Sequence, residues 1–199
     1  MKISKLEGIK LLDKLNMPCV ELLDISKILD GTIPIDYGIS VRLSPKDKWV
    51  KWNVGLPSIN RRTDVEEVRE FVDKYKGKYN VFAHKSVRPE IIGTLSKMKN
   101  QLAIETYKTY EDKGDEIVDN RIIVPVIGDR FYINKMTLMK EDEKDFNNFR
   151  KVIMYLKDVP FSEYEMEYVI ENGDVVFMDF TVADSREYNS FQNIDNERY

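Results

Sequence analysis

Among 199 residues there is one cysteine, Cys19, and one histidine, His84. A single thiol excludes an internal disulfide framework and a cysteine-rich zinc site, and it fits a reducing compartment. A single imidazole excludes a histidine-based metal triad and confines any Ser–His or Cys–His pairing to one position. Nine glycines and seven prolines are too few for a disordered or collagen-like chain. No apolar run approaches the ~20 residues of a membrane span, and charges interrupt the opening MKISKLEGIKLLDKLN, so the sequence reads as soluble and cytoplasmic, with no membrane partner. Neither a Walker A sequence nor a G-x-G-x-x-G pattern occurs, which leaves P-loop and Rossmann readings without support.

What is present is ordinary globular material, 42% hydrophobic, 33% charged and 11% aromatic. The length suits one sizeable domain or two small lobes burying roughly 70% of the unfolded surface. The net charge of −4 hides an asymmetry: residues 1–100 hold 19 Lys and Arg against 13 Asp and Glu, whereas residues 101–199 hold 12 against 22. A basic first half and an acidic second half suit a site that takes a polyanion from one side and a cation from the other. Trp49, Trp52, Arg61 and Arg62 could make an aromatic and basic nucleic-acid surface. The acidic pI of about 5.3 argues against a general nucleic-acid binder.

Apolar spacing predicts helices over residues 6–15, near Asp24–Leu29, after Thr63 or Asp64 as far as Gly77, and from Phe146 to Leu156. Strands are expected at Ile39–Leu43, Trp49–Val54, Tyr79–His84, Ile91–Ser96, Gln101–Tyr107, Arg121–Val126 and Arg130–Ile133, with an acidic loop over Tyr110–Asn120. A closing hairpin, Glu163–Glu171 and Val175–Val182, turns at Asn172-Gly173. The order predicts an α+β fold of two α/β lobes, residues 1–78 and 79–183, the second with a mostly antiparallel sheet, followed by a polar tail over residues 184–199. A cleft between lobes is a natural ligand site.

The hairpin carries the most information. Glu163, Glu165 and Glu167 alternate with Tyr164, Met166 and Tyr168, so the two sets lie on opposite faces. A two-residue Asn-Gly turn would set Met178 opposite Glu167 and mix polar with apolar. A three-residue connection sets Val176, Met178, Phe180 and Val182 opposite Ile170, Tyr168, Met166 and Tyr164. Burial fixes register more strongly than turn preference, so the second is expected. It leaves Asp179 beside Glu167 and Thr181 beside Glu165. Like charges directly opposite require a cation between them, either a lysine or arginine or a metal such as Mg²⁺, which prefers carboxylate, phosphate and water oxygens.

The stretch MEYVIENGDVVFMDFTV resembles the closing hairpin of the ATP-grasp nucleotide-binding domain of pyruvate phosphate dikinase and phosphoenolpyruvate synthase. On that resemblance Glu167 and Asp179 are the metal ligands, and Thr181 stands where the family usually has arginine. GIKLLDKLNMPCVEL is similar to the opening helix and turn, which makes Lys10 the first phosphate lysine. ISVRLSPKD is similar to the strand that carries the phosphate-binding arginine, here Arg42, and Arg61 or Arg62 could add to that wall. VGLPSI occupies the place of the mobile phosphate loop. VFAHKSVRPEIIGTLSK resembles the hinge that meets adenine, implying His84, Lys85, Ser86 and Val87, and AIETYKTYEDKGDEIVDNRIIVP carries Asp115 or Glu116 onto an acidic nucleotide-binding position.

The resemblance implies an ATP-binding, Mg-dependent phosphotransferase (kinase-like) or carboxylate ligase acting on an unknown acceptor. Phosphohistidine and phosphoenolpyruvate domains are not among these residues, so a dikinase cycle would need a separate partner protein. The alternative is a catalytically degenerate module that binds a nucleotide or a protein without turnover. Separately, Lys5-Leu-Glu-Gly8 resembles the Lys-x-Asp/Glu-Gly nucleophile motif of nucleotidyl transferases; so short a pattern assigns Lys5 no role.

Overall fold

The computed structural model describes residues 2–50, 55–109, 116–128, 130–133, 136–139 and 142–182, with the backbone alone for residues 108, 109, 116 and 117. In chain order the elements are β1 (Lys2–Ile3), α1 (Lys5–Lys14), β2 (Leu22–Leu23), α2 (Ile25–Leu29), β3 (Ile39–Ser44), β4 (Trp49–Val50), β5 (Ile59–Arg62), α3 (Val65–Tyr75), β6 (Asn80–Lys85), β7 (Ile91–Met98), β8 (Gln101–Thr109), β9 (Glu116–Ile127), β10 (Arg130–Phe131), β11 (Thr137–Leu138), α4 (Glu143–Leu156), β12 (Tyr164–Glu171) and β13 (Asp174–Val182). The class is α+β, as expected.

Two antiparallel sheets dominate. The larger runs β10-β9-β8-β7-β12-β13, with β11 also on β9, and the smaller runs β2-β6-β3-β5. The strand that opens the expected second lobe, β6, pairs with β3 and β2 in the small sheet rather than with β7. Strands β5 and β11 escape prediction because short polar strands carry no alternation to read. Residues 116–120 of the expected acidic loop instead open β9, which begins at Glu116, and residues 110–115 lie outside the described residues.

Helix starts follow local capping chemistry. Asp24, Asp64 and Asp142 each accept a hydrogen bond from a first-turn backbone N–H, so Asp64 and not Thr63 caps α3. Each sheet has one covered face. Leu95, Ile104, Ile122, Tyr164, Met166 and Tyr168 of the large sheet pack under Phe149, Val152 and Ile153 of α4. Ile39, Val41 and Ala83 of the small sheet pack under Ile28 of α2 and Val68 and Val72 of α3. A third, smaller cluster of Ile9, Val20 and Phe82, with Val176 and Met178 against it, joins the two. The uncovered faces, bearing Ser40, Arg42 and His84 on one side and Glu165 and Glu167 on the other, border a cleft.

The closing hairpin combines both registers. Asn172 and Gly173 have φ of 53° and 80°, and Glu171 pairs with Asp174, which is the two-residue turn that Asn-Gly favours. A bulge after Glu167 then shifts the pairing, because Tyr168 faces Phe177 while Glu167 faces Asp179, leaving Met178 as the extra residue. The expected pairs of Glu167 with Asp179 and Glu165 with Thr181 are present, whereas those of Met178 with Tyr168 and Val176 with Ile170 are not. Val175 and Phe177 enter the core before the bulge, and Phe180 and Val182 after it. One inserted residue thus satisfies both the turn and the burial pattern.

Helix α1 lies against β13 at unusually short range. A Cβ at Gly8 would fall 2.2 Å from the Phe180 carbonyl oxygen and 2.9 Å from Asp179 Oδ1. Only glycine permits this approach, and the approach brings the first turn of α1 over the bulge. Gly8→Ala is expected to destabilise the protein by about 1–3 kcal/mol through overpacking, despite alanine's better helix propensity. Urea unfolding measures this, and an unchanged or higher midpoint would contradict it.

Candidate functional site

The carboxylates of Glu167 and Asp179 face each other beside the bulge. Lys5, at the start of α1, places its Nζ 2.9 Å from Glu167 Oε2 and 3.7 Å from Asp179 Oδ2. Asp179 Oδ1 also accepts a hydrogen bond of 2.9 Å from the Phe180 N–H. Asp179 is only 6% exposed. Its carboxyl pKa is pushed up to about 6, chiefly by burial and further by Glu167, with Lys5 acting in the opposite sense.

Across the cleft, Arg42 projects from β3, and its Nη1 donates to Ser58 Oγ at 3.0 Å. Its Nε is buried without a partner. Burial lowers the pKa of this guanidinium and the Glu167 carboxylate raises it. A cation with an unused donor that faces two carboxylates suits an anion with its own metal between them. His84 lies beside it, 2% exposed. The Lys85 carbonyl can only accept, so His84 Nδ1 donates to it at 2.8 Å and Nε2 is left as an acceptor. Burial drops the imidazole pKa to about 4, and the Arg42 and Lys5 cations contribute in the same direction.

Two cavities meet at these groups. One, of ≈ 530 Å³, has apolar walls from Val87, Ile92, Val169 and Met178 and cations from Lys5, Arg42 and Arg61. The other, of ≈ 450 Å³, lies under residues 55–58, part of the expected phosphate loop; it shares Lys5, Arg42 and Glu167 with the first and is also lined by Asp179.

The sequence-predicted residues divide accordingly. Arg42, His84, Val87, Glu167 and Asp179 come together. Lys10 does not, since its ammonium sits on Glu7 Oε1 at 3.0 Å on the outer side of α1, more than half exposed. Lys5 instead reaches the carboxylate pair and lines both cavities, and its one sequence signal is the Lys-x-Glu-Gly pattern. Lys85 lies 4.9 Å from the ring centre of Tyr37, on the strand face opposite His84. Ser86 is structural: its N–H donates to the Gly38 carbonyl, its Oγ accepts from the Arg61 N–H at 3.2 Å, and it lies 3.0 Å from Ser40 Oγ. Arg61 lines the larger cavity with φ of 54°, a conformation costly for a non-glycine residue. Arg62 pairs with Glu67 at 2.9 Å. Asp115 lies outside the described residues, and so does the side chain of Glu116, whose backbone pairs with Thr109.

Among the described residues no group of three or more His, Cys, Asp and Glu gathers as a ready-made metal cage. Two carboxylates fit Mg²⁺ when phosphate and water oxygens complete its shell. Lys5 already supplies the positive charge that the pair requires.

No protein-family model and no curated protein sequence matches the chain. Solved structures do. The dinucleotide-forming acetyl-coenzyme A synthetase 1 of Ca. Korarchaeum cryptofilum, in complex with coenzyme A and Ca-AMPCP, superposes with a TM-score of 0.57 at 8% identity over 91% of this chain and 92% of that one. D-alanine–D-alanine ligase from Bacillus anthracis, complexed with ATP, gives 0.53 at 12% over 90% and 54%. These are ATP-grasp-type proteins. The fold is ATP-grasp-like. Carboxyaminoimidazole ribonucleotide synthase from Aspergillus clavatus, complexed with ATP, gives 0.52 at 9%, with this chain spanning 44% of its length. The likeness is one of fold, and it supports the ATP-grasp part of the sequence resemblance without singling out the dikinase branch. Among the described residues no helix is long and apolar enough to cross a membrane.

The two perturbed groups have opposite linkage. His84 titrates near 4 in the folded chain against 6.5 for a free imidazole, so the unfolded chain holds more protons in that window and acidification removes stability. Asp179 titrates near 6 against 3.8, so acidification adds stability in its window. The two effects offset one another in the native protein. Asp179→Asn is expected to uncover an acid-induced loss, on the order of 2 kcal/mol between about pH 6.5 and 4, and His84→Gln a gain. Urea midpoints against pH test this, and profiles parallel to that of the unmutated protein would refute it.

Proposed function

We propose that the cleft binds a nucleoside triphosphate with Mg²⁺ and activates its terminal phosphate, as a phosphotransferase or carboxylate ligase. The observation that carries this reading is the bulge-set pair of Glu167 and buried Asp179, bridged by Lys5 and faced by Arg42 with a donor to spare. Lys5, in place of Lys10, and Arg42 hold the phosphates. Val87, Ile92, Val169 and Met178 enclose the base, with His84 Nε2 available to a donor on the nucleoside. Glu167 and Asp179 hold the metal, which when bound neutralises phosphate charge. Phosphoryl transfer is largely positioning and electrostatic stabilisation, and these residues are placed to supply both.

A second reading, a nucleotide-binding module without turnover, is favoured by Thr181 at the family's arginine position and by the Lys5 bridge, which satisfies the carboxylates unaided. Thermal stabilisation by ATP, with and without Mg²⁺, tests the binding that both nucleotide readings require. Lys5→Ala and Arg42→Ala are each expected to weaken nucleotide binding about tenfold or more, Glu167→Ala to abolish the Mg²⁺ dependence, and Lys10→Ala to leave affinity within about twofold. No shift with ATP at millimolar concentration would overturn the proposal. Release of ADP separates turnover from binding alone.

A further inference from the structure

Helix α4 is apolar on two sides. Phe149, Val152, Ile153 and Leu156 follow helical spacing and are buried in the core. Met154 and Tyr155, between them in sequence, are 68% and 42% exposed. Exposed apolar side chains scattered singly are ordinary, but these two are adjacent and line a cavity of ≈ 480 Å³. Leu15 and Met17, past the end of α1, and Val159 and Val175 add to its apolar lining. The Tyr155 ring stands edge-on to Phe177, with centroids 6.0 Å apart, which anchors it against the core. This cavity shares no residue with the two that form the cleft, so its use is independent of the nucleotide reading.

The charges around the cavity are balanced and ordered. Lys151, Met154, Tyr155 and Asp158 stand at i, i+3, i+4 and i+7, on one side of α4, with Asp158 in the turn just past its end. A cation, two apolar side chains and an anion thus succeed one another along the exposed face. Reversing the direction of the helix inverts the order of charge. Two copies of α4 laid antiparallel about the midpoint of Met154 and Tyr155 therefore match, with Met154 of each against Tyr155 of the other and Lys151 of each against Asp158 of the other. Lys157 and Asp174, one of each sign, flank the same cavity. Lys157, Asp158 and Asp174 have no ion pair among the described residues. The Lys151 ammonium donates to the Gly173 carbonyl at 2.7 Å and has donors left for a carboxylate. A partner of one sign would meet its own charge at one end of this face, whereas a twofold-related copy meets the opposite charge at both.

We propose that this face is an isologous interface between two copies of the chain, with α4 packed antiparallel on α4. Met154 and Tyr155 form its centre, and the Lys151–Asp158 pairs close it at both ends. One helix face with its flanking turns falls short of the roughly 1,600 Å² of a standard interface, so the dimer dissociates on dilution through the micromolar range.

The test is sedimentation of the full chain from about 1 to 500 µM at low and at high salt. A monomer that becomes a dimer over this range is expected, with salt weakening the association. Met154→Glu, Lys151→Glu and Asp158→Lys should each weaken it about tenfold or more. The double variant of Lys151→Glu with Asp158→Lys restores both pairs with their signs exchanged and should recover the dimer, as should an equimolar mixture of the two single variants. A general loss of structure would not be repaired in this way. A dimer insensitive to Met154→Glu, or single charge reversals that neither the double variant nor the mixture rescues, would overturn the inference. So would a monomer at every concentration. In that case a lower melting temperature in Met154→Glu would give the cavity to a segment of the same chain, and an unchanged one to a different protein.

Discussion

Two carboxylates held opposite each other across a strand pair repel, and burying one of them raises the cost. Glu167 and Asp179 are held in that arrangement, and the single ammonium of Lys5 makes it tolerable. Several otherwise unrelated features serve this contact. The bulge at Met178 sets Asp179 beside Glu167 after a turn whose own register would have paired Glu167 with Met178. Gly8 allows α1 within contact distance of the Asp179 carboxylate, so that the first turn of α1 carries Lys5 over the pair. Sheet, helix and turn are all fitted to one ion cluster, and a fold with no use for the cluster would gain stability by replacing it with apolar residues.

That cluster gives physical form to the charge asymmetry of the chain. Lys5, Arg42 and Arg61 come from the basic first half, and Glu165, Glu167 and Asp179 from the acidic second half. The division is not one wall against the other, because Lys5 crosses to sit among the acids. Along β12 the lining changes from apolar residues with Lys5, Arg42 and Arg61 to carboxylates that Lys2, Lys5 and Arg121 pair.

The legible part of this architecture was the part governed by periodicity. Alternation in β12 and β13 located both carboxylates, and the helical stripes of α1, α3 and α4 are visible in the apolar spacing. What periodicity could not express was a change of phase within a strand. Val175 and Phe177 point into the core on one phase and Phe180 and Val182 on the other, so any single register had to misplace half of β13. Choosing between turn chemistry and burial was a false choice, since a bulge satisfies both. Lys5 was missed for a different reason. Lys5 and Lys10 lie on one helix and differ in which side of it meets β13, and that depends on the approach at Gly8. Nothing within α1 alone encodes an approach made to a strand some 170 residues later.

An unpaired polar group in the cleft separates a structural account from a functional one. Among the described residues the Arg42 guanidinium is hydrogen-bonded only by Ser58, and its Nε is buried and unused, which costs free energy. Asn148 Nδ2 and Tyr164 Oη are also buried without partners, but neither lines a cleft cavity, whereas Arg42 lines two. An apolar residue in place of Arg42 would avoid the cost, and an anion bound in the cleft would supply the missing acceptor.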